Sequence, residues 1–203
     1  STVWMLKNGI RVVVLPTTDT PYQIVMSGQA SGGLSMIPTE DYYSVSMLAQ
    51  VVSASGVGDF TAEQLRKVLG SKVVNIQPTI NRFSTDINGS AAKGDVETML
   101  QLTYLYFTRP NFDRGRLDMI IEANRINLEN SVNSPDFVMT QMVNKITYGD
   151  QQRTRIPDEQ ILAGIDCGKI SSWYRNLFTD AAGNYTFYFV GDIDMETFKP
   201  LVE

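Results

Sequence analysis

"INRFSTDINGSAAKGDVETMLQLTYLYFTRPNFD", Ile80 to Asp113, changes its hydrophobic period half-way along. In its first part Phe83, Thr85 and Ile87 alternate with Ser84, Asp86 and Asn88, the two-residue period of a half-buried strand. Asp95 then stands as a helix N-cap, and Val96, Met99, Leu100, Thr103 and Phe107 fall on one face of the helix that follows, with Pro110 ending it. A strand that feeds directly into a long amphipathic helix places both element types in one packed layer system.

The reading extends both ways. "WMLKNGIRVVVLP" is expected to be a hairpin, with Asn8-Gly9 as a two-residue turn and Pro16 ending the second strand. Tyr22 to Gly33 is a second long strand, with Ile24, Met26, Gly28 and Ala30 on one side and Gly32-Gly33 as a strand-ending turn. One helix is expected from a Thr39 or Asp41 cap to about Ser53. A shorter one has Thr61 and Gln64 in capping-box positions. "KVVNIQPTINRFSTDINGSA" reads as two strands around Pro78–Asn81. Beyond Asp113 come a long amphipathic helix with Leu117, Ile120, Ile121 and Leu128, another opened by Ser134-Pro135, and two more in "PDEQILAGI" and "GKISSWYRNLF". "NYTFYFVG" is a late strand, and "DMETFKPLVE" starts a last helix. Strands and helices do not strictly alternate, so the expected class is α+β: a mainly antiparallel sheet flanked by helices, in a single domain over 1-203.

Bulk properties exclude several functions. The 203 residues are 43% hydrophobic and 19% charged, which suits a globular chain. Lys and Arg number 17 against 22 Asp and Glu, a formal charge of −5 with no basic run, so neither nucleic acid nor an anionic membrane surface is an expected partner. No apolar stretch approaches the ~20 residues of a membrane span. The lone Cys167 permits no internal disulfide, which fits the cytosol and the bacterial periplasm alike. The chain opens at Ser1 directly into ordered structure and reads as a piece of a longer polypeptide. Histidine is absent altogether, which removes Ser-His-Asp and Cys-His chemistry and the usual zinc hydrolase sites. Gly32-Gly33 lacks the Gly-x-Gly-x-x-Gly context of a phosphate loop. Cys167 reads as a packing residue, and Tyr104, Tyr106, Phe107, Trp173, Tyr174 and Phe178 read as core or inter-domain surface.

The helix "YYSVSMLAQVVSASGVG", Tyr42 to Gly58, carries Ser46 and Gln50 four apart, expected on a buried helix. That spacing is the one by which His-x-x-Glu-His places two zinc ligands on one helical face, with a catalytic glutamate beside them. Here the five positions are Ser46, Met47, Leu48, Ala49 and Gln50.

The whole chain resembles the pitrilysin/insulinase family of zinc metallopeptidases. The likeness is carried by Trp4, Leu6 and Asn8 to Val12, by "SGGLS" (Ser31 to Ser35), and by "SGVGDFTAEQLRKVLGSKV" after the helix. "INGSAAKGDVETMLQLTYLYFTRPNFD", "YGD" (Tyr148 to Asp150) and "FTDAAGNYTFYFVGDID" complete it. It is similar to the third of four homologous domains in large bacterial members, within the non-catalytic C-terminal half. The resemblance implies a peptidase-like domain without the zinc motif: Ser46 and Gln50 stand where the family has histidines, and Ala49 where it has the catalytic glutamate. A downstream glutamate ligand would fall at Glu122 or Glu129, both of which read as solvated helix residues.

The resemblance thus implies no catalytic residue and no metal ligand in this chain, with zinc held in the catalytic half of a parent metalloendopeptidase. The expected partners are sister domains and a peptide substrate, with Ser46 and Gln50 as weak substrate contacts in a chamber wall. The alternative is a scaffold subunit of a complex built from inactive peptidase homologues. Unrelated carboxylate chemistry is a third reading, resting only on the abundance of Asp and Glu.

Overall fold

Every second residue from Gln23 to Ser31 is buried, and this strand lies near the middle of a six-stranded sheet. In the computed structural model, which describes residues 1–203, the strands are β1 (Thr2–Met5), β2 (Arg11–Pro16), β3 (Gln23–Ser31), β4 (Val74–Ile80), β5 (Ser84–Ala92) and β6 (Thr186–Gly191). Their order is β1-β2-β6-β3-β5-β4. All neighbours are antiparallel except β2 and β6, so the expected α+β class holds.

Two strand details differ from expectation. The β1–β2 connection is a longer loop than Asn8-Gly9 alone: Leu6 N–H donates to Ile10 O at 2.9 Å, and Gly9 N–H to Leu6 O at 3.0 Å. Only Gly9 takes a positive φ, at 89°, the pattern of a three-residue loop with glycine in the left-handed position. Pro78 does not mark a turn. It sits inside β4 opposite Ile87, and the turn is made by residues 81–83, which leaves Phe83 exposed. An edge strand tolerates the missing N–H, and β4 is an edge.

The helices are α1 (Tyr42–Ser46), α2 (Leu48–Ser55), α3 (Ala62–Val68), α4 (Val96–Thr108), α5 (Arg114–Ser131), α6 (Pro135–Tyr148), α7 (Glu159–Ala163), α8 (Cys167–Tyr174) and α9 (Met195–Val202). The helix expected from residue 39 or 41 to 53 is therefore two helices, broken at Met47 (φ −89°, ψ −3°). The capping box at Thr61 and Gln64 forms, and Ser134 accepts from Phe137 N–H as a cap with Pro135 in the first turn. Asp95 precedes α4 but makes no side-chain cap. Its carboxylate instead accepts from Val73 N–H at 2.9 Å and pairs with Lys72 at 2.9 Å, tying the start of β4 to the start of α4.

The core lies between one face of the sheet and the helices. Phe187 and Phe189 of β6 join Phe107 of α4, Tyr174 of α8 and Phe178 in a chain of ring contacts, with Tyr174 stacked on Phe178 at 4.4 Å and Phe107 edge-on to Tyr185 at 4.9 Å. The buried phenols keep partners: Tyr174 donates to Tyr106 O at 2.9 Å and Tyr185 to Leu177 O at 3.2 Å. Of the aromatic residues singled out from sequence, Tyr106, Phe107, Tyr174 and Phe178 are core, Trp173 packs against it, and Tyr104 is exposed. Cys167 is half-buried, and burial pushes its thiol up.

Two apolar surfaces remain uncovered within the chain. The outer sheet face exposes Val3, Met5, Leu15, Val25, Tyr188 and Val190. Helix α6 has no buried residue and exposes Val138, Met139, Met142, Val143 and Ile146. No helix is long and apolar enough to cross a membrane.

After β3 the chain turns at Gly33, with φ 65°, under the β4–β5 hairpin. A Cβ there would lie 2.3 Å from Asn81 O and 2.7 Å from Ser84 N. Gly33→Ala is expected to destabilise the fold by about 2–4 kcal/mol, because backbone on backbone cannot give way and the left-handed φ adds strain. Urea unfolding measures this, and a loss within experimental error would contradict the packing described.

Candidate functional site

The α1–α2 segment is where the sequence suggests a lost metal site. Its inward face, Ser44, Val45, Leu48, Val51, Val52 and Ser55, is buried. Ser46 and Gln50 are on the other face and exposed, so the expectation of a buried polar pair is corrected. The reason is geometric: apolar residues at 45, 48, 51 and 52 take the core side, which leaves 46 and 50 outward. Ser46 Oγ donates back to Tyr43 O at 2.8 Å, at the break between the two helices.

Long-range clamps fix this segment. The guanidinium of Arg153 donates to Thr39 Oγ1 at 3.2 Å, Leu34 O at 3.3 Å and Ile37 O, and it lies over the Tyr42 ring at 5.2 Å. The Tyr43 hydroxyl lies within hydrogen-bond reach of Arg155 O, at 2.8 Å, and of Gln152 O. Burial raises the pKa of that phenol. From the other side, Ser44 Oγ accepts from Asp166 N–H at 3.1 Å. Asp41, which precedes α1, makes no cap with its side chain. Its carboxylate accepts from Lys169 Nζ at 2.6 Å and Trp173 Nε1 at 2.9 Å, and these donors hold its pKa below the usual carboxylate range.

The groups at the motif positions do not fit zinc. Ser46, Ala49 and Gln50 present a hydroxyl, a methyl and a carboxamide, and none of the three is an anionic or imidazole donor. Glu122 is engaged elsewhere: it pairs with Arg125, whose guanidinium also holds Glu159 of α7 at 2.8 and 2.9 Å. Glu129 is exposed on α5. No group of three or more His, Cys, Asp or Glu side chains is placed to hold a metal ion. Exposed Ser46 and Gln50 give this face hydrogen-bond donors and acceptors.

No family model matches the chain. A probable zinc protease PqqL of Haemophilus influenzae is 22% identical over 200 residues, 98% of this chain and 21% of that protein. The chain thus spans about a fifth of the length of the curated relatives it matches. The periplasmic protease PqqL from Escherichia coli superposes with TM-score 0.86 at 20% identity, over 98% of this chain and 22% of the other. The first half of that protease alone gives TM-score 0.74 at 14% identity, over 99% and 44%. A peptidase M16 inactive domain from Pseudomonas fluorescens gives 0.72 at 16%, over 99% and 48%. The fold is that of an M16, pitrilysin-like peptidase domain.

In this M16-like domain, sequence reasoning missed the residues that hold the α1–α2 segment: Asp41 as an ion-pair partner, Tyr43, Arg153 and Trp173. Their contacts join positions more than a hundred residues apart, so local pattern carries no signal for them. It also missed Asp86, whose Oδ2 accepts from Asn81 and Ser84 while its buried Oδ1 has no partner.

The depressed Asp41 pKa sets a pH dependence. Because the folded value lies below the unfolded one, the contribution is complete above the unfolded value of about 4 and fades as pH falls through the folded value. Asp41→Asn is expected to lower stability at pH 7 by on the order of 1 kcal/mol. The gap to the parent chain should close as pH drops below about 4. Urea midpoints across that range check it, and a pH-independent gap would show that the ionised carboxylate is not the cause.

Proposed function

We infer that residues 1–203 form one domain of the non-catalytic, C-terminal half of a zinc metallopeptidase, the third of four homologous units. There it forms part of the substrate chamber and packs against sister domains, while the zinc is held in the catalytic half of the parent protein. The observation that carries this reading is the pairing of an M16-like fold with Ser46, Ala49 and Gln50 at the motif positions. Two others support it. The match to the whole of the E. coli protease, TM-score 0.86, exceeds that to its first half, 0.74, which favours a counterpart in the remainder. The bare apolar helix α6 and the apolar part of the open sheet face suit contacts with neighbouring domains. Exposed Ser46 and Gln50 are the side chains through which the segment would meet a peptide, by hydrogen bonds that position rather than cleave.

The purified chain is expected to retain far less than one zinc per molecule and to cut no peptide. Chelator-sensitive cleavage by the rigorously clean chain would end this reading. Within the full-length enzyme, Gln50→Ala is expected to raise KM for long peptides by about 2–10-fold with little change in kcat, as loss of a uniform binding contact does. Deleting the domain should lower kcat/KM for long peptides; an unchanged value would remove the chamber-wall role.

A further inference from the structure

The stretch "TRPNFD", Thr108 to Asp113, ends in a feature that the chamber reading does not use. A polar cavity of about 330 Å³ opens where the end of α4, the turn at Gly58 and the segment Arg175–Thr179 meet. Arg109 and Arg175 both line it, together with Thr108, Asn111 and Thr179. In an acidic chain this is a local excess of positive charge.

Most neutral donors around the cavity are already engaged. Thr108 Oγ1 donates to Tyr104 O at 2.8 Å, and Thr179 Oγ1 to Phe107 O at 2.6 Å. Asn111 Nδ2 donates to Gly58 O at 3.1 Å and Phe60 O at 3.3 Å. Gly58 N–H is spent on Arg109 O at 2.8 Å. Three carbonyls in the last turn of α4 have partners: Leu105 O accepts from Arg109 N–H at 2.7 Å, Tyr106 O from the Tyr174 hydroxyl at 2.9 Å and Phe107 O from Thr179. Capping that helix end, the usual work of an arginine there, does not consume either guanidinium. Arg109 pairs with Asp59 at 2.5 Å, but both side chains are largely exposed and such a pair is weak. Arg175 has no ion-pair or hydrogen-bond partner for its side chain. It opens a π-helical turn, Arg175–Thr179, an irregularity frequent at functional sites.

We propose that Arg109 and Arg175 form a binding site for a carboxylate, supplied by a peptide C-terminus or a small organic acid. The free donors are guanidinium forks, which match the two oxygens of a carboxylate. With Asp59 beside them the two arginines leave about one net positive charge, which suits a monoanion. The same forks also match phosphate, but its charge of about −1.5 to −2 at neutral pH exceeds that balance. The site stands independently of the chamber reading, so either can fail alone.

The test titrates the 203-residue chain with N-acetylglycylglycine, its C-terminal amide, acetate and inorganic phosphate, following the amide resonances of Gly58 and Asn111. The free acid is expected to shift these resonances saturably and the amide not to. Acetate matching the free acid would assign the site to small organic acids, and acetate binding more weakly would assign it to peptide ends. Arg175→Ala should weaken binding by about tenfold or more, and Arg175→Lys should not restore it. Asp59→Asn should tighten binding by removing the competing carboxylate. Equal urea midpoints confirm that each variant is folded. Equal binding of acid and amide, tighter binding of phosphate, or Arg175→Ala without effect would overturn the assignment.

Discussion

The sheet is completed by one insertion. Strand β6 enters between β2 and β3, pairing parallel with the first over Arg11 to Pro16 and antiparallel with the second over Ile24 to Gln29. Nothing else joins the N-terminal hairpin to the rest of the sheet. The same strand puts Phe187 and Phe189 at the centre of the core, against Phe107 of α4 and Phe198 of α9. Burying an aromatic side chain contributes about 1.5–3 kcal/mol, so this strand supplies both the hydrogen-bond ladder and a large part of the packing. Since it follows β5 by nearly a hundred residues, the sheet depends on a contact of high closure entropy.

The α1–α2 segment depends on that arrangement in turn. Its inner face packs against β4 and α8, and its start is gripped by Arg153, Lys169 and Trp173 from the last third of the chain. A helix held on three sides presents its fourth side in a fixed orientation, which is what a catalytic motif needs. Here the outward side chains at 46 and 50, and Ala49 beside them, carry no imidazole or carboxylate. Fold and surface chemistry are separable because packing uses residues 45, 48, 51 and 52 and leaves 46 and 50 free to vary.

Much of this was legible from local pattern. The alternation in Gln23–Ser31, the capping box at Thr61 and the Ser134-Pro135 start rest on contacts between near neighbours, so they appear where the sequence puts them. The misreadings share a cause. Asp95 and Asp41 have the chemistry of caps, yet each found a stronger partner from elsewhere, Lys72 with Val73 N–H for one and Lys169 with Trp173 for the other. Pro78 has the chemistry of a turn, yet it is harmless at an edge. The break at Met47 leaves no mark of glycine or proline.

Local residue pattern accounts for the alternation of strand and helix periods, the α+β class, and the lack of metal-ligand groups at positions 46, 49 and 50, because residue type alone settles what a side chain can ligate. The outward direction of Ser46 and Gln50, the place of β6 inside the sheet, and the cavity shared by Arg109 and Arg175 emerge from the folded chain. Those facts arise from contacts between segments far apart in the chain, and the energy of such contacts is not written in any local stretch.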